Sequence, residues 1–163
     1  SAWHECNWRV RNMDFNETGV VKAICISPAR GTEKHTIPEG HFIPDFGIEG
    51  DAHAGTWHRQ VSLLSYNKVE EFNKRGANVG DGAFGENLVV DGIDFRALPV
   101  GTRLYAGTVE LRMTQIGKEC HSDCAIKKAV GKCVMPTEGI FAVVVREGTV
   151  RAGDEIEILE AET

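Results

Sequence analysis

The chain has 163 residues and a net charge of 18 − 24 = −6, and 42% of its residues are hydrophobic and 26% charged. These values are typical of one globular domain that folds without disulfide bonds, and they exclude a disordered chain. The apolar runs are too short for a membrane helix. The acidic balance argues against a general surface for duplex nucleic acid.

Five cysteines, an odd number, do not indicate the disulfide framework of a small secreted protein. Residues 1–11 are polar and contain no apolar core followed by a cleavage site, so no secretory signal is visible. We therefore expect a cytoplasmic protein. Residues 1–18 are predicted to be a leader that is non-native or disordered, ahead of a single domain at 19–160.

Short strands dominate the predicted elements. Residues 31–55, rich in glycine and proline, are predicted to be a loop with at most one short strand. The predicted strands are Val20–Ser27, Val61–Ser65, Phe84–Val90, Val100–Tyr105, Thr108–Gln115, Ile140–Val145 and Val150–Leu159, and the predicted helices are Tyr66–Arg75 and Ser122–Val130. Since strands outnumber helices and do not alternate with them, the pattern favours a mostly β protein, a closed or nearly closed β-barrel with two or more short helices.

The loop at residues 47–53, GIEGDAH, is the first candidate site. Its glycines allow tight turns or a close approach of the backbone to a ligand. Asp51 is placed to orient the imidazole of His53, or to form a turn without any catalytic role. Basic residues on either side, including Lys34 and Arg59, form either an anion site or a solvated face.

The second candidate is Gly85-Glu86-Asn87-Leu88. Asn87 has the donors and acceptors to bind a heterocycle or another loop. Glu86 is either a buried carboxylate or a charge at the end of a strand.

The third candidate is Cys120, which lies between Lys118 and His121 just ahead of a predicted helix. Positive charge and the N–H groups of a helix start both favour the reactive thiolate. Residues 112–132 hold five basic and two acidic residues, a balance of 5 − 2 = +3 that suits an anionic ligand. Cys124 and Cys133 leave open a resolving thiol or a zinc site. Cys25, within the first strand, is predicted to be an inert core residue.

Taken in order, these segments resemble the MOSC domain, the module at the C-terminus of molybdenum-cofactor sulfurases. The resemblance rests on GIEGDAH, RQVSLL, FGENL, PVGTRL, TQIGKEC, MPTEGIFAVVV and VRAGDEIEI, and it spans residues 19–159. It implies a compact barrel-like fold and a stand-alone domain, since the chain has no room for a pyridoxal-phosphate desulfurase. It also implies a cysteine, here Cys120, that carries sulfane sulfur or ligates the molybdenum of a pterin cofactor.

The resemblance also implies roles for the other motif residues. Catalysis is assigned to Cys120, His53 and Asp51, and cofactor binding to Arg59, Asn87, Glu86, Lys118 and Lys34. The basic side chains would hold the phosphate of molybdopterin, in the order Arg59, Lys118, Lys34. Asn87 would contact the pterin edge, and Glu86 and Asp51 would orient their neighbours.

The expected function is therefore molybdenum-cofactor binding, in cofactor delivery or in the oxidoreduction of small N-hydroxylated substrates. One alternative is a persulfide sulfur carrier without molybdenum, partnered by a cysteine desulfurase or a molybdoenzyme. Another is a binding module in which the late cysteines hold zinc. The sequence leaves open whether the protein is an enzyme.

Overall fold

The computed structural model describes residues 18–30, 34–74, 76, 80–117 and 139–159. Of the predicted leader, only residue 18 is among these residues. The predicted helix Ser122–Val130, and the residues Lys118 and Cys120, lie outside them.

Strands make up about half of the described residues and far exceed the helices. They are β1 Thr18–Ile26, β2 His35–Ile37, β3 Glu39–Ile43, β4 Gly47–Ile48, β5 Val61–Ser65, β6 Leu88–Asp91, β7 Arg103–Ala106, β8 Val109–Ile116, β9 Ile140–Arg146, β10 Gly148–Arg151 and β11 Glu155–Leu159. One α-helix, α1 at Tyr66–Lys74, and a 3₁₀-helix at Phe95–Ala97 complete the elements of the described part.

Seven strands close into a barrel, in the order β1, β11, β7, β8, β9, β5, β6. Closure occurs at β1, which pairs with β6 along one stretch and with β11 along another. Each pairing is antiparallel except that of β5 with β6. A second sheet, β10-β3-β4, has three strands. The predicted closed, mostly β barrel is confirmed.

The barrel interior follows from the alternation of apolar and polar residues along the strands. In β11 the buried Ile156 and Ile158 alternate with exposed Glu155 and Glu157. All five residues of β5 are buried, because α1 packs on this strand. Val69 and Phe72 provide the buried face of the helix. Among the described residues, no helix is both long and apolar enough to cross a membrane.

Four predicted elements were wrong in detail. The predicted strand Val150–Leu159 is divided into β10 and β11, and the predicted strand Val100–Tyr105 begins only at Arg103. Residues 31–55 contain three short strands, β2 to β4, which are two to five residues long and carry polar side chains such as His35 and Glu39. Such strands are stabilised by pairing with distant partners and leave little local signal. The predicted strand Phe84–Val90 begins only at Leu88, because residues 81–84 form a turn and Gly85 has a positive φ of 81°.

Candidate functional site

Five polar residues from different segments meet in the interior, and we call them the buried polar cluster. They are Ser27, Lys34, Asp51, Ser62 and Asn87, each at most 7% exposed. Ser27 follows β1, Lys34 precedes β2, Asp51 follows β4, Ser62 lies in β5 and Asn87 precedes β6. The ends of the barrel strands therefore bring these residues together at one edge.

An ion pair lies at the centre of the cluster. Lys34 Nζ is 2.6 Å from Asp51 Oδ1, and neither side chain is exposed to solvent. The same carboxylate oxygen accepts a hydrogen bond from the backbone N–H of Ser27 at 3.1 Å. Burial lowers the pKa of Lys34, and the hydrogen bond and charge of Asp51 act in the opposite direction.

Asn87 connects this pair to the barrel. Its Nδ2 donates to Cys25 O at 2.9 Å and to Asp51 Oδ2 at 3.0 Å. Its Oδ1 accepts from the N–H and the hydroxyl of Ser62, at 2.9 and 3.1 Å. All four hydrogen-bonding positions of the side chain are thus used inside the protein. In the described structure Asn87 holds Asp51 in place, and direct contact with a pterin stays a prediction.

The Glu86 carboxylate organises the neighbouring turn. Its Oε2 accepts from the N–H of Gly82 at 3.0 Å, and its Oε1 from the N–H of Phe84 at 3.0 Å. Burial raises the pKa of Glu86 to about 7, although these N–H donors act to lower it. Glu86 is fully buried. In the described structure its carboxylate holds the backbone of the turn through Gly82 and Phe84.

Gly82 joins this turn to the ion pair. Its carbonyl accepts from the N–H of Lys34 at 2.9 Å. A Cβ at position 82 would lie only 2.2 Å from the carbonyl oxygen of Lys34, and the φ of +87° is one that other residues rarely adopt. Only glycine therefore fits at position 82. Its hydrogen bond with Lys34 holds the backbone of the residue whose side chain pairs with Asp51.

Beside the cluster, Arg30 and Arg59 both lie against the ring of Trp57, and we call these three residues the Arg–Trp surface. The guanidinium carbons are 5.0 and 4.7 Å from the ring centroid, and that of Arg59 is also 5.7 Å from the ring of Phe141. Arg59 Nε is buried and has no hydrogen-bond partner among the described residues. Arg30 Nε donates to Ala52 O at 3.3 Å.

His53 lies between the two groups of residues. Its Nδ1 is 2.9 Å from Lys34 Nζ. Its backbone oxygen accepts from Trp57 Nε1 at 2.8 Å. The GIEGDAH loop therefore links the buried polar cluster to the Arg–Trp surface.

The Arg–Trp surface also contacts the ends of β8 and β9. His58 Nε2 is 2.6 Å from Gln115 Oε1, and Gln115 is the strand partner of Phe141. The N–H of Gly117 donates to Gly139 O at 2.7 Å. Gly117 and Gly139 are therefore hydrogen-bonded neighbours close to Phe141, whose ring contacts Arg59.

Comparisons with known proteins give the family. The family model of the MOSC domain matches residues 50–157. The chain belongs to the MOSC domain family. No curated protein sequence matches it significantly.

Solved structures share the fold of this MOSC domain. The YUAD protein from Bacillus subtilis superimposes with a TM-score of 0.73 at 22% identity, over 89% of this chain and 97% of that one. YiiM from Geobacillus stearothermophilus has a TM-score of 0.67 at 18% identity, over 87% and 75%. YiiM from Escherichia coli has a TM-score of 0.62 at 18% identity, over 91% and 71%.

The structure brings four predicted residues of the MOSC domain into direct contact, namely Lys34, Asp51, His53 and Asn87. Glu86 adjoins them through Gly82, and Arg59 lies on the other side of the GIEGDAH loop. Lys118 and Cys120 lie outside the described residues. Cys25 is fully buried, as its core assignment predicted, and burial raises the pKa of its thiol to about 12. Among the described residues, no group of three or more metal-ligating side chains is placed to hold a metal.

Sequence reasoning missed Arg30, Trp57, Ser27 and Ser62. The adjacency of Trp57 and Arg59 was an available signal, because arginine often stacks on tryptophan. Arg30 is 27 residues from Trp57 in the sequence, and the two serines resemble ordinary surface residues. Nothing local in the sequence shows that they meet.

A double-mutant cycle on the ion pair tests its coupling. We expect Lys34→Met and Asp51→Asn each to lower the free energy of unfolding by about 3–5 kcal/mol, because each leaves its partner without a counter-charge in the interior. The double variant should lose less than the sum of the two. The matched control is the exposed pair Arg151–Glu39, 3.0 Å apart, whose coupling should stay below about 1 kcal/mol. Urea denaturation measures all the values, and additive losses at Lys34 and Asp51 would contradict the account.

Glu86 should make stability depend on pH. Its folded pKa of about 7 lies above the ordinary 4.5, so the protonated form is favoured in the folded state. Its contribution is fully present below about pH 4.5 and is lost as the pH rises to about 7, a change of about 3 kcal/mol. The Glu86→Gln variant should lack this fall in the free energy of unfolding, whereas Glu70→Gln, at an exposed position of α1, should keep it. Equal pH slopes in wild type and Glu86→Gln would refute the assignment.

Proposed function

We propose that this MOSC domain binds the molybdenum cofactor, with Cys120 as the protein ligand of the metal and Arg59 as a ligand of the cofactor phosphate. The observation that carries the proposal is the side chain of Arg59, whose guanidinium is packed against two aromatic rings and whose buried Nε has no acceptor among the described residues. A buried N–H without an acceptor costs free energy, so such a group favours an acceptor supplied by a ligand.

Charge supports an anionic ligand at this place. The chain carries a net charge of −6, yet within the described part of the chain neither Arg30 nor Arg59 forms an ion pair with a carboxylate. The fork of N–H donors on a guanidinium matches the oxygens of a phosphate. The aromatic ring of Trp57 holds both cations without neutralising either of them. The Arg–Trp surface therefore fits the phosphate of a pterin cofactor.

The chain path supports the role of Cys120. It follows Gly117 by three residues, and three residues span at most about 11 Å. Gly117 follows Gln115, which is hydrogen-bonded to His58, the neighbour of Arg59 in the sequence. In the proposed arrangement, a thiolate at position 120 and the guanidinium of Arg59 hold the same small ligand. A soft thiolate is a suitable ligand for molybdenum bound by a dithiolene.

The remaining residues would bind and orient rather than react. Asp51 and Asn87 hold the GIEGDAH loop, Glu86 holds the turn behind it, and Lys118 would add positive charge beside the phosphate. When bound, the cofactor supplies a metal centre able to transfer oxygen atoms and electrons. Function in cofactor delivery, or in the reduction of small N-hydroxylated compounds, follows from that chemistry.

Metal content tests the role of Cys120. Protein expressed in a host that makes the cofactor should contain molybdenum, and Cys120→Ser should lose most of it because a hydroxyl is a poor soft-metal ligand. Cys25→Ala is the matched control, since Cys25 is buried in the core, and it should retain the metal. An equal molybdenum content in the two variants would contradict the proposal. Added sulfur on Cys120 after incubation with a cysteine desulfurase, with no molybdenum in the wild type, would favour the sulfur-carrier alternative instead.

Arg59 has a separate test. Arg59→Gln removes the guanidinium at the Arg–Trp surface, and we expect the retained cofactor to fall about tenfold or more, as for loss of a charge-assisted hydrogen bond. Arg112→Gln is the control, because Arg112 is an exposed residue of β8. The measurement is the extracted pterin per protein chain. Unchanged retention in Arg59→Gln would show that the phosphate lies elsewhere.

A further inference from the structure

His41 lies on β3, the central strand of the three-stranded sheet. It is the cross-strand partner of Thr149 in β10, and its carbonyl accepts from the N–H of Glu49, the residue after β4, at 2.9 Å. Its Nδ1 is 3.1 Å from Glu49 Oε2, and its Nε2 is 2.7 Å from Oε2 of Glu147, the residue between β9 and β10. One imidazole therefore connects residues on both sides of the central strand.

Only the protonated ring of His41 satisfies both contacts. An ionised carboxylate accepts hydrogen bonds and donates none, whereas an imidazolium carries an N–H on each of its two nitrogens. A neutral ring has a single N–H, so it keeps one of the two bonds and turns a lone pair toward the other carboxylate. Deprotonation therefore breaks one of the two links, whichever nitrogen loses the proton.

The other charged groups on this face leave the two carboxylates to His41. Glu39 lies two residues from His41 on β3 and is paired with Arg151 of β10 at 3.0 Å. Among the described residues, neither Glu49 nor Glu147 forms an ion pair with a lysine or an arginine. Hydrogen bonds to Glu49 and Glu147 raise the pKa of His41 above its ordinary 6.5, and desolvation acts in the opposite direction.

Glu49 belongs to the GIEGDAH loop and precedes Asp51 by two residues. The strand that leads into the loop, β4, has only two residues and lies at the edge of its sheet. Its register with β3 consists of Phe42 opposite Ile48 and Ile43 opposite Gly47. Because so short a strand provides few backbone hydrogen bonds, a side-chain link at Glu49 adds substantially to what holds this end of the loop.

We propose that His41 is a pH-sensitive latch, whose imidazolium fastens the GIEGDAH loop through Glu49 to β3 and to Glu147, and whose deprotonation releases that fastening. The folded-state pKa of His41 is raised, so the latch is fully present below about pH 6.5 and is lost as the pH rises through the folded value. The latch follows from the contacts of His41 alone. Its effect on a ligand at the Arg–Trp surface, which the same loop borders, rests on the proposed function.

A pH titration of the His41 Cε1–H signal by ¹H–¹³C NMR tests the two carboxylate contacts. We expect a midpoint above 6.5 in the wild type, and a lower midpoint in both Glu49→Gln and Glu147→Gln, because each variant removes one anionic acceptor. Glu70→Gln is the matched control, since it removes one negative charge at an exposed position of α1, and it should leave the midpoint unchanged. A wild-type midpoint at or below 6.5, or the same midpoint in the wild type and both variants, would overturn the proposal.

Hydrogen exchange at the N–H of Glu49 tests the latch itself. This N–H donates to His41 O, so its protection reports whether the loop is held against β3. The reference is His41→Gln, whose side chain forms hydrogen bonds but does not titrate. Comparing the two proteins at each pH cancels the effects of other titrating groups, Glu86 included.

The protection in the wild type, divided by that in His41→Gln, should fall as the pH rises through the His41 midpoint. By linkage the fall is about tenfold for each pH unit that separates the midpoints of the wild type and Glu49→Gln. The two measurements must therefore agree. A ratio of protection that stays constant with pH would overturn the latch.

The latch and the cofactor site can fail separately. A pH-dependent ratio of protection in a protein that contains no molybdenum would leave the latch standing and reject the cofactor site. Molybdenum in a protein whose His41 titrates at its ordinary value would do the reverse.

Discussion

The ion pair between Lys34 and Asp51 is the interaction on which the rest of the site depends. Burying two opposite charges removes their hydration, a cost that is offset only when the remaining donors and acceptors are also satisfied. Here they are: Ser27 and Asn87 donate to Asp51, and Ser27 and His53 accept from Lys34. One polar network thereby fixes the positions of segments that lie 60 residues apart in the sequence.

The barrel explains why this network can be rigid. Ser27, Ser62 and Asn87 lie at or next to the ends of β1, β5 and β6, three strands that are neighbours in the closed sheet. The backbone of the barrel holds their relative positions, so only Lys34 and Asp51 arrive on loops. This arrangement puts the GIEGDAH loop, and with it Trp57 and Arg59, over the ends of β8 and β9. An acidic protein thus presents two arginines at one place.

The sequence predicted the barrel because its strands alternate cleanly, as in β11, and because β5 contains the apolar residues Val61, Leu63 and Leu64 in a short run. It did not predict β2 to β4, since short strands with polar faces depend on partners far away in the chain. Asp51, Asn87 and Glu86 were selected from their local patterns and from the family resemblance, but burial was among the stated alternatives only for Glu86. The meeting of Lys34 with Asp51 across 17 residues, and of Arg30 with Trp57 across 27, is decided by tertiary packing that no local pattern encodes.

Native-state hydrogen exchange at the backbone N–H of Ser27 is the most direct measurement of the central claim. This N–H donates to the buried Asp51 carboxylate, so it reports on the cluster itself. If the cluster is a rigid part of the core, this N–H exchanges only through global unfolding, with the same opening free energy as Val89 in the middle of β6. Exchange through local opening, at a free energy several kcal/mol below that of Val89, would contradict the account.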